Sequence, residues 1–164
     1  MQIFYLSHSA TAIVDTVLWL LIHMTMAFGM TKLSISLFNE EFFLFKNYTW
    51  ENNGKFYDTI LGVTSWKNLI PDGAAWFSSG FAKKNLQKKD IAYYTRFVKE
   101  TCRGELTHWL VILFAPLFFL FNPPWAGWII IVYAGCANFP CIIIQRYNRP
   151  RLKEVVKTMK RRLK

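Results

Sequence analysis

The chain has 164 residues, of which 53% are apolar and 18% aromatic, with a mean hydropathy of +0.18 and a formal charge of +10. That length allows one domain, residues 1–164, and the clustering of the apolar residues excludes an ordinary soluble globule. Cys102, Cys136 and Cys141 are scattered and odd in number, so they predict neither a disulfide framework nor a metal site.

The first apolar segment, residues 10–29, is interrupted by Asp15 and His23. Those two residues either line a polar cavity within the membrane or mark the segment as interfacial. A cleaved signal peptide would start with basic residues, and residues 1–6 have none, so a retained anchor is expected. The connection 31–104 is too aromatic for disorder. In it, Leu37-Phe38 and Phe42-Phe43-Leu44-Phe45 flank Glu40-Glu41, which predicts a segment lying in the membrane interface. A turn-rich stretch runs from Asn47 through Asn52-Asn53-Gly54 to Tyr57, and Pro71-Asp72-Gly73 signals another turn. Residues 83–90 are basic. From Ile91 a helix is expected toward Glu105, with Tyr93, Tyr94, Phe97 and Val98 on its apolar face and Gly104 weakening its far end.

Two further apolar runs, 106–121 and 125–144, flank Asn122-Pro123-Pro124 and predict a tight transmembrane hairpin over 105–145. The tail, 150–164, reads as a basic amphipathic helix, with Leu152, Val155, Val156, Met159 and Leu163 on one stripe, lying on anionic lipid. Eleven Lys or Arg fall within 31–104 and nine from Arg146 onward, whereas the Pro-Pro turn has none. The positive-inside rule then predicts a cytoplasmic connection and tail. The fold class that emerges is an all-α integral membrane protein of about three transmembrane helices. It comprises the C-terminal hairpin, interfacial helices in the connection and the tail helix. The positive charge is accounted for by anionic membrane lipid, and no nucleic-acid motif accompanies it.

Helices joined by so short a turn are antiparallel and adjacent, so residues equidistant from Pro123 share a depth. His108 and Asn138 each lie fifteen positions away, which puts both about 22 Å below the turn at the rise of an α-helix. Glu105 and His108 are three apart and share a face. Asn138, Cys141, Gln145 and Asn148 or Arg149 follow the helical period on the facing element. A carboxylate that orients a histidine, beside amides and guanidinium groups, can deprotonate a hydroxyl and hold an anionic or carbonyl-bearing donor. Glu105 and His108 are accordingly the catalytic candidates. Each feature also has a plainer reading: a salt-linked pair at a helix start, arginines anchored on headgroups, and an asparagine repairing the kink at Pro140.

At these residues the chain resembles the glycosyl-4,4'-diaponeurosporenoate acyltransferase family, small membrane enzymes of staphyloxanthin-type carotenoid synthesis. The resemblance runs from about residue 42 to residue 162. Gly54-Lys55-Phe56, Trp66-Lys67 followed by Asp72-Gly73, Glu105-Leu106 and His108-Trp109 carry it, as do Asn138 and the run Gln145-Arg146-Tyr147-Asn148-Arg149-Pro150-Arg151-Leu152. It implies fatty acyl transfer, from acyl-CoA or acyl carrier protein as co-substrate, to a sugar hydroxyl of a glycosylated carotenoid in a bacterial plasma membrane. No bound cofactor is expected. Lys55, Trp66, Lys67, Asp72, Arg103, Asn138, Gln145, Arg146, Tyr147, Asn148 and Arg149 are then candidate substrate-binding residues. The chain has neither the His-x4-Asp motif of glycerolipid acyltransferases nor a Gly-x-Ser-x-Gly elbow, which favours direct transfer over an acyl-enzyme. Two alternatives stand beside this reading: another glycolipid or lipid-linked sugar as acceptor, and a non-catalytic lipid-binding or assembly protein.

Single-cysteine variants at Asn85 and Lys164 should resist labelling by a membrane-impermeant thiol reagent added outside intact cells, and should react after permeabilisation. Labelling of either from outside would invert the expected topology.

Overall fold

The computed structural model describes residues 2–70 and 90–163, and every regular element among them is helical. The expected turn at Pro71-Asp72-Gly73 and nearly all of the basic stretch before Asp90 lie outside the described residues. Helix α1 spans His8–Lys32, α2 Lys55–Leu61, α3 Val63–Trp66, α4 Ile91–Phe114 and α5 Pro124–Arg162. A 3-10 segment, Ala115–Leu120, extends α4 to the hairpin turn. Three segments are long and apolar enough to cross a membrane: His8–Lys32, Ile91–Leu120 and Pro124–Arg162.

Local chemistry sets the ends of these helices. Ser7 accepts from the Ala10 amide at 3.3 Å and starts α1, and Asp90 accepts from the Tyr93 amide at 2.7 Å and starts α4. Each satisfies a backbone donor that the first helical turn leaves unpaired. Pro124 opens α5, where a missing amide hydrogen costs nothing. Gly104 does not interrupt α4, because packing against α5 outweighs its weak helix propensity.

The two long helices, α4 and α5, form the spine, with α1 packed on α4. Ile22 of α1 meets Val111 and Phe118, and Met30 meets Cys102. The opposite face of α1 exposes Ile13, Leu20, Leu21 and Phe28, the composition of a lipid-facing surface. The chain start is tied to the hairpin turn, since the Ile3 and Phe4 amides both donate to the Leu120 carbonyl at 2.9 Å. Asn122 in the turn donates to Asp15 at 2.8 Å. The beginning of α1 and the Pro-Pro turn therefore share one end of the molecule.

The tail departs from the sequence-based expectation. Helix α5 runs unbroken through Pro140 and Pro150, so residues 150–162 continue the second hairpin helix rather than forming a separate one. Much of its apolar stripe is covered by protein: Leu152, Val156 and Met159 pack on Tyr93, Tyr94, Phe97 and Val98 of α4. Only Val155 and Leu163 of the stripe stay exposed. Burial against α4 supplies what an isolated amphipathic helix would seek from lipid.

Between α1 and α2 the chain makes a left-handed turn. Asn52, Asn53 and Gly54 all have positive φ, at 46°, 53° and 81°. Asparagine and glycine are the residues that tolerate this conformation. The turn presses Gly54 onto α5, where an added Cβ would lie 3.0 Å from the Tyr147 carbonyl oxygen and 3.2 Å from Pro150 Cγ. Gly62 also has positive φ, 57°, but an added Cβ there meets only Ser65 Oγ at 3.6 Å. Gly62→Ala should therefore cost about 1–2 kcal/mol through backbone strain alone, and Gly54→Ala should cost visibly more. Thermal unfolding of the detergent-solubilised variants tests this order, and equal midpoints would contradict it.

Candidate active site

The register predicted from the turn is realised. His108 Nδ1 lies 2.8 Å from Asn138 Oδ1, joining α4 to α5. The Asn138 amide nitrogen donates to the Ala134 carbonyl at 2.9 Å. That bond fixes which end of the amide faces the ring, so Oδ1 is the acceptor and Nδ1 carries the proton. When the ring is neutral, Nε2 is then its basic nitrogen. Asn138 is buried and His108 half-buried.

Toward the tail end of the spine lies a network of charges. Glu105, fully buried, accepts from Arg146 Nη1 at 2.8 Å and from Arg149 Nη2 at 2.5 Å. Side chains on a helix lean toward its N-terminus. In an antiparallel pair, Glu105 and the two arginines therefore lean toward each other and meet although their Cα atoms are offset. Arg146 also donates from Nε to Glu51 at 2.6 Å and to the Tyr57 hydroxyl at 3.1 Å. Its Nη1 and Nη2 reach the carbonyls of Leu44 and Lys46 at 2.8 and 3.2 Å. Arg149 donates to Thr101 Oγ1 at 2.9 Å and to the Phe45 carbonyl at 2.6 Å. Two guanidinium groups thus face two carboxylates, and the loop 44–51 hangs from them.

Glu51 is almost wholly buried and receives the Tyr57 hydroxyl and the Tyr48 amide, the latter at 2.6 Å. Burial pushes its pKa up, but hydrogen bonds from Arg146, Tyr57 and Tyr48 outweigh that and hold it below the ordinary 4.5. A depressed carboxyl pKa stabilises the fold above the unfolded value, and that stability is lost as pH falls through the folded value. Acid below the ordinary 4.5 therefore loosens this loop. Burial and the bond to Glu51 push Tyr57 above its ordinary 10, so it stays a donor throughout the physiological range.

The remaining candidates are distributed around these two centres. Arg103 pairs with Glu100 at 2.5 Å on α4 itself. Lys67 Nζ lies 4.9 Å from the centre of the Tyr147 ring, and the Arg151 guanidinium carbon lies 3.6 Å from the same centre. Trp66 packs in the cluster of Tyr57, Val63 and Tyr147 and donates to the Leu61 carbonyl at 2.7 Å. Gln145 is buried one turn before Arg149, Asn148 is half-buried, and Lys55 is exposed at the start of α2. Asp72 lies outside the described residues. Asp15 bonds the turn residue Asn122 at the end of the spine away from Glu105 and Arg146.

Glu51 and Tyr57 are participants that residue spacing did not single out. Charge counting calls for a second carboxylate, since two arginines facing one helical carboxylate leave a positive charge over, but it does not choose Glu51 from Glu40, Glu41, Asp58, Asp72, Asp90 and Glu100 of the same connection.

The glycosyl-4,4'-diaponeurosporenoate acyltransferase family profile matches residues 39–158. Proteins of that name from Staphylococcus aureus strains USA300 and MRSA252 are each 34% identical to this chain, and the one from strain Newman is 33% identical. In each case the match spans 152 residues, 93% of this chain and 92% of the relative. The chain belongs to the glycosyl-4,4'-diaponeurosporenoate acyltransferase family. It is an acyltransferase of the carotenoid pathway with three helices capable of spanning a membrane. No solved structure matches it. The matched region contains both the His108–Asn138 pair and the whole charge network.

Removing one partner of a buried ion pair leaves an uncompensated charge, at a cost of about 3–5 kcal/mol. Glu105→Ala should therefore sharply reduce the amount of folded protein. Arg146→Lys, which keeps the charge but loses the planar fork, should speed proteolysis within residues 38–54 while α4 and α5 stay intact. Unchanged cleavage would show that the loop is held by other contacts.

Proposed function

We propose that the protein transfers a fatty acyl group from a thioester donor to a sugar hydroxyl of a glycosylated carotenoid, completing a staphyloxanthin-type glycolipid. The observation that carries this reading is the His108–Asn138 pair, a histidine of defined tautomer held within an acyltransferase fold. The relatives' name supplies the acceptor class: a carotenoid that already bears a sugar.

His108 Nε2 takes the proton of the attacking sugar hydroxyl as its oxygen bonds to the acyl carbonyl carbon. The carbon–sulfur bond then breaks, and the departing thiolate receives that proton. Asn138 fixes the ring and its tautomer. Depth supports the assignment: at about 22 Å below the turn, His108 sits inside a hydrocarbon core of about 30 Å, near its far edge. An acyl chain can stay in lipid there while the donor's head remains in water. We place this edge on the cytoplasmic side, where the thioester donor, acyl-CoA or acyl carrier protein, is found.

Glu105, Arg146 and Arg149 act on this chemistry as positioning residues. Trp109 Nε1 donates to Glu105 at 3.4 Å, and the Trp109 ring meets Phe139 edge-on. The charge network is thereby coupled to residues next to both members of the pair. Gly54, Lys67 and Trp66 belong to the docked loop that roofs α5.

The test is lipid mass spectrometry of a host making the glycosylated carotenoid, with and without the protein. Wild type should add a fatty-acyl mass. His108→Ala should insert normally and lower turnover by about 10²–10⁴-fold, and Asn138→Ala should leave partial activity. Normal turnover by a well-inserted His108→Ala would remove histidine from the mechanism. An unchanged lipid profile with wild type would remove the acceptor assignment.

A further inference from the structure

Helix α5 is too long for the bilayer. Its 39 residues extend about 58 Å, whereas about twenty residues cross the hydrocarbon core. Exposed Trp125 and Trp128 mark one interface at its start, so the core ends near residue 144. Headgroups add about 5–7 Å on each side, the equivalent of four or five helical residues. Everything from Lys153 onward therefore stands in water, beyond the reach of a headgroup layer.

In that water-exposed part, α5, α4 and residue 40 line an open groove of about 440 Å³, a volume ordinary for a small-molecule site. Four cations line it: Lys153, Lys157, Lys160 and Arg161. Val98 and Val156 contribute an apolar lining, and Glu40 is the carboxylate within it. Lys153 pairs with Glu41, and Lys157 lies 3.8 Å from Glu154. Lys160 and Arg161 have no carboxylate partner among the described residues, and both are exposed. Adjacent cations left unneutralised beside apolar surface suit a ligand with several phosphates and a planar base.

The separation from the catalytic pair is informative. Val98 and Thr95, on the groove wall, precede His108 by ten and thirteen residues on α4, or about 15–20 Å along the helix. A pantetheine arm has about a dozen bonds between its phosphate oxygen and its sulfur. At the reach of an extended amide chain, about 3.5 Å per three bonds, it covers roughly 14 Å, and the phosphates extend it further.

We propose that this groove binds the phosphorylated nucleotide end of a coenzyme A thioester, with the acyl-bearing sulfur reaching the level of His108. The proposal rests on the acyltransfer reading above and names its donor. A groove of this volume with an apolar wall beside its cations fits a nucleotide.

The experiment uses the full chain in nanodiscs of zwitterionic lipid, titrated calorimetrically with unacylated coenzyme A. Wild type should bind. Lys160→Glu combined with Arg161→Glu should weaken binding roughly tenfold to a hundredfold, as expected for lost charge-assisted hydrogen bonds. The same variant should raise KM for acyl-coenzyme A with kcat retained, and Lys157→Ala should act in the same direction. His108→Ala should bind coenzyme A like wild type. Charge-dependent binding without any acyl transfer would support the groove while sinking the transferase mechanism. Absence of binding, binding indifferent to the double substitution, transfer from carrier-protein thioesters alone, or a loss confined to association with anionic vesicles would each overturn the proposal.

Discussion

Two arginines one helical turn apart, Arg146 and Arg149, meet the fully buried Glu105 across the α4–α5 interface, and much of the molecule's arrangement follows from that contact. Burying charge at a membrane boundary is costly unless every charge is paired and every donor used. Glu105 alone leaves one positive charge in excess. Glu51 removes it, and the carbonyls of Leu44, Phe45 and Lys46 take further guanidinium donors. Electroneutrality thus recruits a stretch of connection that has little regular structure and pins it on the helix pair. The left-handed Asn52-Asn53-Gly54 turn follows from the same docking, since only a backbone without a Cβ fits against Tyr147 and Pro150.

Length divides the rest of the spine. The half nearest the Pro-Pro turn is apolar outside and holds the His108–Asn138 pair at its inner limit. In the other half, which the proposed placement sets in water, α4 and α5 remain packed through Tyr93, Phe97, Leu152 and Val156. The charge network lies at the junction. The proposed reaction calls for such a division, because an acyl chain and a carotenoid belong in lipid while a thioester's head and a sugar belong in water. On the proposed mechanism, holding the junction rigid keeps His108 where both substrates can reach it.

The sequence by itself determined the all-helical class, the spans and the short hairpin turn, because twenty-residue apolar runs and a proline pair obey one-dimensional rules. It also set His108 and Asn138 at one depth, since a tight turn converts equal sequence distance into equal depth. Composition and spacing did not reveal which partner each polar side chain would take. Glu105 and His108 share a face, yet the two arginines hold the carboxylate and Asn138 holds the imidazole. Pro150 marks a boundary by local propensity, yet α5 continues through it because α4 covers both sides of the break. Likewise the tail's apolar stripe is the same whether lipid or protein covers it, and only the packing of α4 against it decided for protein. Partner choice among buried charges depends on side-chain reach and on the requirement that a buried cluster be neutral. Those conditions are met by residues as far apart in the chain as Glu51 and Arg146, so they exist only once the chain has folded.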